Sequence, residues 1–93
     1  MIGILSFHLH FPACASLKEK RGYLKPLLAR LHRQFNVSAA EMDLQDKWQE
    51  AVIACGMLGN DAAYLQSALE TIRKWLEANL PDGDVLDTKI EIW

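Results

Sequence analysis

Two periodicities alternate along this chain, and their order leaves few folds open. Residues 2 to 11, IGILSFHLHF, repeat every two residues. Leu5, Phe7, Leu9 and Phe11 fall on one face, and Ile4, Ser6, His8 and His10 on the other. That is the pattern of a half-buried β-strand. Pro12 ends it, having no N–H to give a sheet ladder. From Leu17 the spacing changes to threes and fours, with Leu17, Leu24, Leu27, Leu28 and Leu31 along one stripe of a helix. Ser16-Leu17-Lys18-Glu19 has the form of a capping box. The Ser16 hydroxyl accepts from the third helical N–H, and Glu19 reaches back to the Ser16 N–H. Gly22 weakens this helix by about 1 kcal/mol relative to Ala. Pro26 removes a backbone bond at a cost of about 3 kcal/mol in an ideal helix. A kink is expected between them.

The same alternation of periods then repeats. Phe35 to Asp43 reads as a second strand, weakened by its alanines, and Leu44 to Trp48 is a polar connection with one large aromatic. Gln49 to Leu58 is apolar and partly β-branched, the pattern of a central strand buried on both faces. Gly59-Asn60-Asp61 is a break followed by an N-cap. A second helix runs to about Asn79 with Leu65, Leu69, Ile72 and Leu76 on its stripe. Pro81 to Asp84 is a turn. Asp84 to Trp93 alternates again, with Leu86, Thr88, Ile90 and Ile92 on one face and Asp87, Lys89, Glu91 and Trp93 on the other.

The order β-α-β-β-α-β, with two right-handed crossovers joined by a hairpin, predicts an α+β chain with the ferredoxin-like fold. Its sheet has four antiparallel strands, with the first and third at the centre and both helices on one face. Residues 1–93 form a single domain, long enough for one core. The helix-free face is expected to carry Ser6, His8 and His10 beside Asp87, Lys89, Glu91 and Trp93. No stretch has the basic flank and apolar run of a signal peptide or the length of a membrane span. Cys14 and Cys55 form no CxxC and no disulfide framework, which points to a reducing cytoplasm.

Charge is unevenly distributed. Residues 17–34 carry +5, the rest of the chain −7, and the whole −2. The sum argues against bulk electrostatic attraction to nucleic acid, whereas the local excess makes the first helix a candidate phosphate-binding surface. Lys18, Lys20, Arg21, Lys25 and Arg33 are the residues expected to approach RNA. Lys18, Arg21 and Lys25, spaced by three and four, share one face. The bland alternative is a solvated outer face balanced by acidic neighbours.

Three runs, SLKEKR at Ser16 to Arg21, FNVS at Phe35 to Ser38, and D-x-Q-D-x-W-Q at Asp43 to Gln49, together resemble the YlxP-like family of small bacterial proteins. Asn60-Asp61 after the third strand fits the same pattern, and the resemblance covers essentially the whole chain. It implies a cytoplasmic protein of unknown function with a ferredoxin-like fold. It also implies a link to RNA or the ribosome, because genes of the family often lie near those for translation initiation and ribosome maturation factors. It carries over no catalytic residue. Pro26 and Cys14 depart from the family's pattern.

Other constellations are weaker. His8 and His10 point the same way from a strand and could grip one metal, with Glu91 or Asp87 as a third ligand. They are equally two polar residues on an open face. Asp43, Gln45, Asp46 and Trp48 form either a partner-binding loop or a structural one, in which Gln45 and Asp46 satisfy loop amides and Trp48 covers the end of the core. The third strand offers no aromatic residue to an RNA base, which argues against stacking on the sheet. Cys55 reads as an inert small hydrophobe, and Cys14 as a thiol in an exposed loop before a helix. The chain is expected to be a non-enzymatic accessory protein without a cofactor, bound to RNA or the ribosome through its basic helix. The alternative is a protein-interaction or self-assembling module that uses the open sheet face or an edge strand.

Overall fold

In the computed structural model, which describes residues 1–93, the elements follow the order β1 (Ile2–His10), α1 (Leu17–Gln34), β2 (Ser38–Asp43), β3 (Glu50–Leu58), α2 (Ala62–Asn79) and β4 (Asp84–Ile92). The four strands form one antiparallel sheet in the order β2-β3-β1-β4, so the first and third strands are central. This is the ferredoxin-like arrangement that the two crossovers predict.

Both helices bury their leucine stripes against one face of the sheet. Leu24, Leu27 and Leu31 of α1 and Leu69, Ile72 and Leu76 of α2 share a core with Leu5, Phe7, Leu9, Ala51, Ile53 and Cys55. Leu17 and Leu28 are only half-buried. Each helix begins at the expected cap. Ser16 Oγ accepts from the Glu19 N–H at 3.1 Å, and Asp61 Oδ1 accepts from the Ala63 N–H at 3.0 Å. The return half of the first cap differs from expectation: Glu19 Oε2 accepts from Ala15 N–H, one residue before the cap, and its other oxygen accepts from the Tyr23 hydroxyl. Helix α1 continues through Pro26 without a break in its assigned span, pinned by the leucines on either side.

Three boundaries or faces depart from the sequence reading. Phe35 caps α1, donating its N–H to Leu31 O, and β2 begins only at Ser38. Strand β3 is not buried on both faces: Ala51, Ile53 and Cys55 face the helices, while Val52 and Ala54 are half-exposed on the open side. In β4, Leu86 is 53% exposed and Val85 packs on the core instead. The cause is a bulge. His8 pairs with Asp87 and Leu9 with Val85, which leaves Leu86 as an extra residue and reverses the alternation before it. The other edge does the same, since Glu41 pairs with Ile53 and Asp43 with Val52, leaving Met42 extra. His8 and Val52 are themselves paired, so the two edge strands bulge on either side of one row of the sheet.

Candidate nucleic-acid interface

The six basic residues of α1 have three different fates. Lys20 lies four and seven residues before Leu24 and Leu27, on the buried stripe, and is 1% exposed. Its ammonium donates to the carbonyls of Leu44 (2.9 Å), Glu50 (3.1 Å) and Gln45 (3.4 Å), and Glu41 Oε2 lies 3.0 Å away. Lys20 therefore cannot reach a phosphate, and the expectation that it joins the RNA surface is corrected. Burying a long cation is tolerated only where its donors and charge are met, and this side chain meets both. Arg30 is docked inward as well. Its guanidinium sits 5.0 Å from the centre of the Trp75 ring and donates to Asn79 Oδ1, tying α1 to α2.

The remaining four, Lys18, Arg21, Lys25 and Arg33, are exposed, with no carboxylate at ion-pair distance. At about 100° per residue they fall within roughly a third of the helix circumference, opposite the leucines. From Lys18 to Arg33 they extend roughly 22 Å along the axis. Lys18, Arg21 and Lys25 are on this face together. The outer surface of α2 is built differently. There Arg73 is bridged to Glu70 at 2.8 Å and to Glu77 at 3.1 Å, and these carboxylates raise its pKa.

The loop between β2 and β3 is anchored rather than loose. Besides the three bonds from Lys20, Gln49 Nε2 donates to the carbonyls of Pro12 and Cys14, both at 3.3 Å. Leu44 takes a left-handed conformation (φ 60), and Asp43 Oδ1 accepts from its N–H. Gln45 serves through its carbonyl, and no side-chain hydrogen bond of Gln45 or Asp46 satisfies the loop amides. Trp48 does not cover the core. It is 55% exposed, because the end of the core is closed by Phe11 stacked on Tyr23 at 5.2 Å. The hydrogen bond to Glu19 raises the pKa of the Tyr23 hydroxyl.

The open sheet face holds His8 and His10, each facing a carboxylate. His8 Nε2 is 2.9 Å from Glu50 Oε1, and His10 Nδ1 is 4.0 Å from Asp84 Oδ2. The expected third metal ligands are engaged elsewhere: Glu91 pairs with Lys89 at 2.6 Å, and Asp87 accepts from Thr88 N–H. No three His, Cys, Asp or Glu side chains converge as a ligand set. Toward the other end this face is apolar, with Ile2, Leu58 and Trp93 exposed, and a shallow groove lined by Ile4, Ala40, Ala54 and the exposed Met42 runs back along it. Cys14 is not exposed as expected: it is 1% accessible, and its thiol donates to Ser16 O. Cys55 is buried, and that burial pushes its pKa up to about 11.

Glu41 and Gln49 are the members of this region that sequence reasoning missed. A signal existed for Glu41, which follows Val37 and Ala39 on the inward side of β2 and so called for a buried cation.

The geometry defines a class: a ferredoxin-like α+β domain with a one-sided cationic helix and a clamped aromatic loop, with no helix long and apolar enough to cross a membrane. Residues 2–90 match the family model described as "Protein of unknown function (DUF503)", and the chain belongs to that family. It is also similar to the "Uncharacterized protein YlxP" of Bacillus subtilis (strain 168). The two are 30% identical over 78 residues, which is 84% of this chain and 85% of the relative.

Proposed function

We propose that this protein is a cytoplasmic, non-enzymatic accessory factor that binds RNA phosphates, as on a ribosomal particle, through the outer face of α1. One observation carries the reading: Lys18, Arg21, Lys25 and Arg33 share an exposed face and have no carboxylate partner, while Arg73 on the other helix is doubly paired. A surface tuned only for solubility mixes both signs at the spacing of three and four, as α2 does. Unpaired cations spread along a helix suit a row of phosphates.

Co-sedimentation of the untagged protein with ribosomal subunits tests this. Comigration should fall steeply between about 50 and about 200 mM salt. A protein that stays at the top of the gradient at every salt concentration defeats the reading.

A second reading rests on the apolar end of the open sheet face, where Ile2, Leu58 and Trp93 are exposed, and on the groove that leads from it to Met42. That surface suits association with a second copy of the chain. Its mark is a sedimentation coefficient that rises with protein concentration and does not fall with salt.

A further inference from the structure

We infer that Trp48 is a stacking platform for an unpaired base, so that the RNA held by α1 is single-stranded or looped at that point. This rests on the reading of α1 given above.

An indole 55% exposed on a loose loop would carry little meaning, but this loop is not loose. Lys20, buried at 1% exposure, directs all three of its donors to the carbonyls of Leu44, Gln45 and Glu50, on either side of Trp48. Gln49, next in sequence to Trp48, holds two further carbonyls, those of Pro12 and Cys14. Leu44 is kept in a left-handed conformation that a non-glycine residue adopts at a cost of strain. A buried cation, a bidentate amide and a strained backbone thus fix one loop whose large aromatic covers no core. A rigid aromatic offered to solvent is a low-entropy surface for stacking.

The surroundings fit a base and not a phosphate. Trp48 borders an open cavity of about 470 Å³, shared with Asp46, Lys47, Gln49 and Glu50. The carboxylates of Asp46 and Glu50 outnumber the Lys47 ammonium there and offer acceptors to the exocyclic amino groups of a base. Glu50 is fixed by His8 at 2.9 Å. The Gln49 bonds set the loop against the segment that enters the Ser16 cap and the first turn of α1, the turn that carries Lys18. Bases in a duplex keep their faces stacked on one another, whereas an unpaired base has a face free for an indole.

The test compares Trp48→Ala and Trp48→Phe with the wild type on a fluorescein-labelled cytidine 12-mer and on a 12-base-pair RNA duplex, read by anisotropy across a salt series. Trp48→Ala should weaken 12-mer binding by about 5- to 100-fold. Phe should restore most of it, while the salt slope and duplex affinity stay unchanged because no phosphate contact is lost. A photo-crosslinking residue at position 48 should then capture RNA on ribosomal subunits. Unchanged 12-mer affinity in Trp48→Ala, an equal loss on the duplex, or crosslinks to protein alone each overturn the inference. In those cases salt-sensitive binding that is lost in Lys18→Glu/Arg21→Glu/Lys25→Glu leaves the reading of α1 standing. A wild type that binds neither RNA overturns both.

Discussion

The ammonium of Lys20 lies 3.0 Å from Glu41 Oε2, yet its hydrogen bonds go to the Leu44, Gln45 and Glu50 carbonyls, and that buried carboxylate oxygen accepts none. The pair is held by charge, and the loop by the protons. Substituting Lys20 by Met strands a buried carboxylate oxygen and three loop carbonyls together. The expected loss is about 3 kcal/mol, the low end of the range for a broken buried pair because Glu41 keeps some exposure. In thermal melts that is on the order of 10 to 20 °C for a chain of this size. Adding Glu41→Leu should recover part of the loss. A double variant no more stable than the single one would show that the two side chains are not coupled.

Reversing Lys18, Arg21 and Lys25 to Glu removes three exposed cations that touch no carboxylate. Retention on ribosomal subunits at about 50 mM salt should be lost, with the melting temperature shifted by only a few degrees. Retention equal to the wild type would remove α1 from the interface.

A Cβ added at Gly22 meets nothing within 4 Å, and the residue is mid-helix. Gly22→Ala should therefore stabilise the protein by about 0.5 to 1 kcal/mol, seen as a melting temperature several degrees higher. Destabilisation would mean that the backbone at this position, four residues before Pro26, is not free to take an ordinary helical residue.

The two thiols should be silent in the native state. With a pKa of about 11, only about one in a thousand Cys55 side chains is ionised at pH 8, and both cysteines are shielded from solvent. A colourimetric disulfide reagent should titrate no thiol in buffer and two in denaturant. Rapid native reaction at Cys14 would show that the loop before α1 opens.

Lys89 holds the Glu91 carboxyl below the usual glutamate range, chiefly through their hydrogen bond. A depressed folded-state pKa contributes stability above the unfolded value and loses it as pH falls through the folded one. A carbon-detected NMR titration should show the Glu91 carboxyl protonating below the usual glutamate range, and Lys89→Gln should return it to that range.

The fold was legible in the chain wherever spacing alone decides it. Ser16 and Asp61 stand at real caps, and the α2 stripe from Leu65 to Leu76 is buried throughout. What misled was residue chemistry set above position. Lys20 falls on the leucine stripe by spacing, yet its charge suggested the surface. Leu86 was assigned by an alternation that holds only until a bulge, which pairing with β1 creates and β4 alone does not encode. The exposure of Trp48 and the burial of Cys14 depend on what packs from elsewhere, here Phe11 on Tyr23 and Gln49 on the segment before α1, which spacing within each loop does not encode.

The paired bulges at Met42 and Leu86 have a bearing on how this domain behaves in company. A regular edge invites another chain to join as the next strand, and repetition of that step polymerises a protein. Here both margins lose register beside the His8–Val52 row, one on each side of it, and a bulge adds twist to its strand. Neither side offers a straight template, so crowding would not string copies into ribbons. Whatever the domain meets, it meets flat side first, through a helix, a loop or an open sheet.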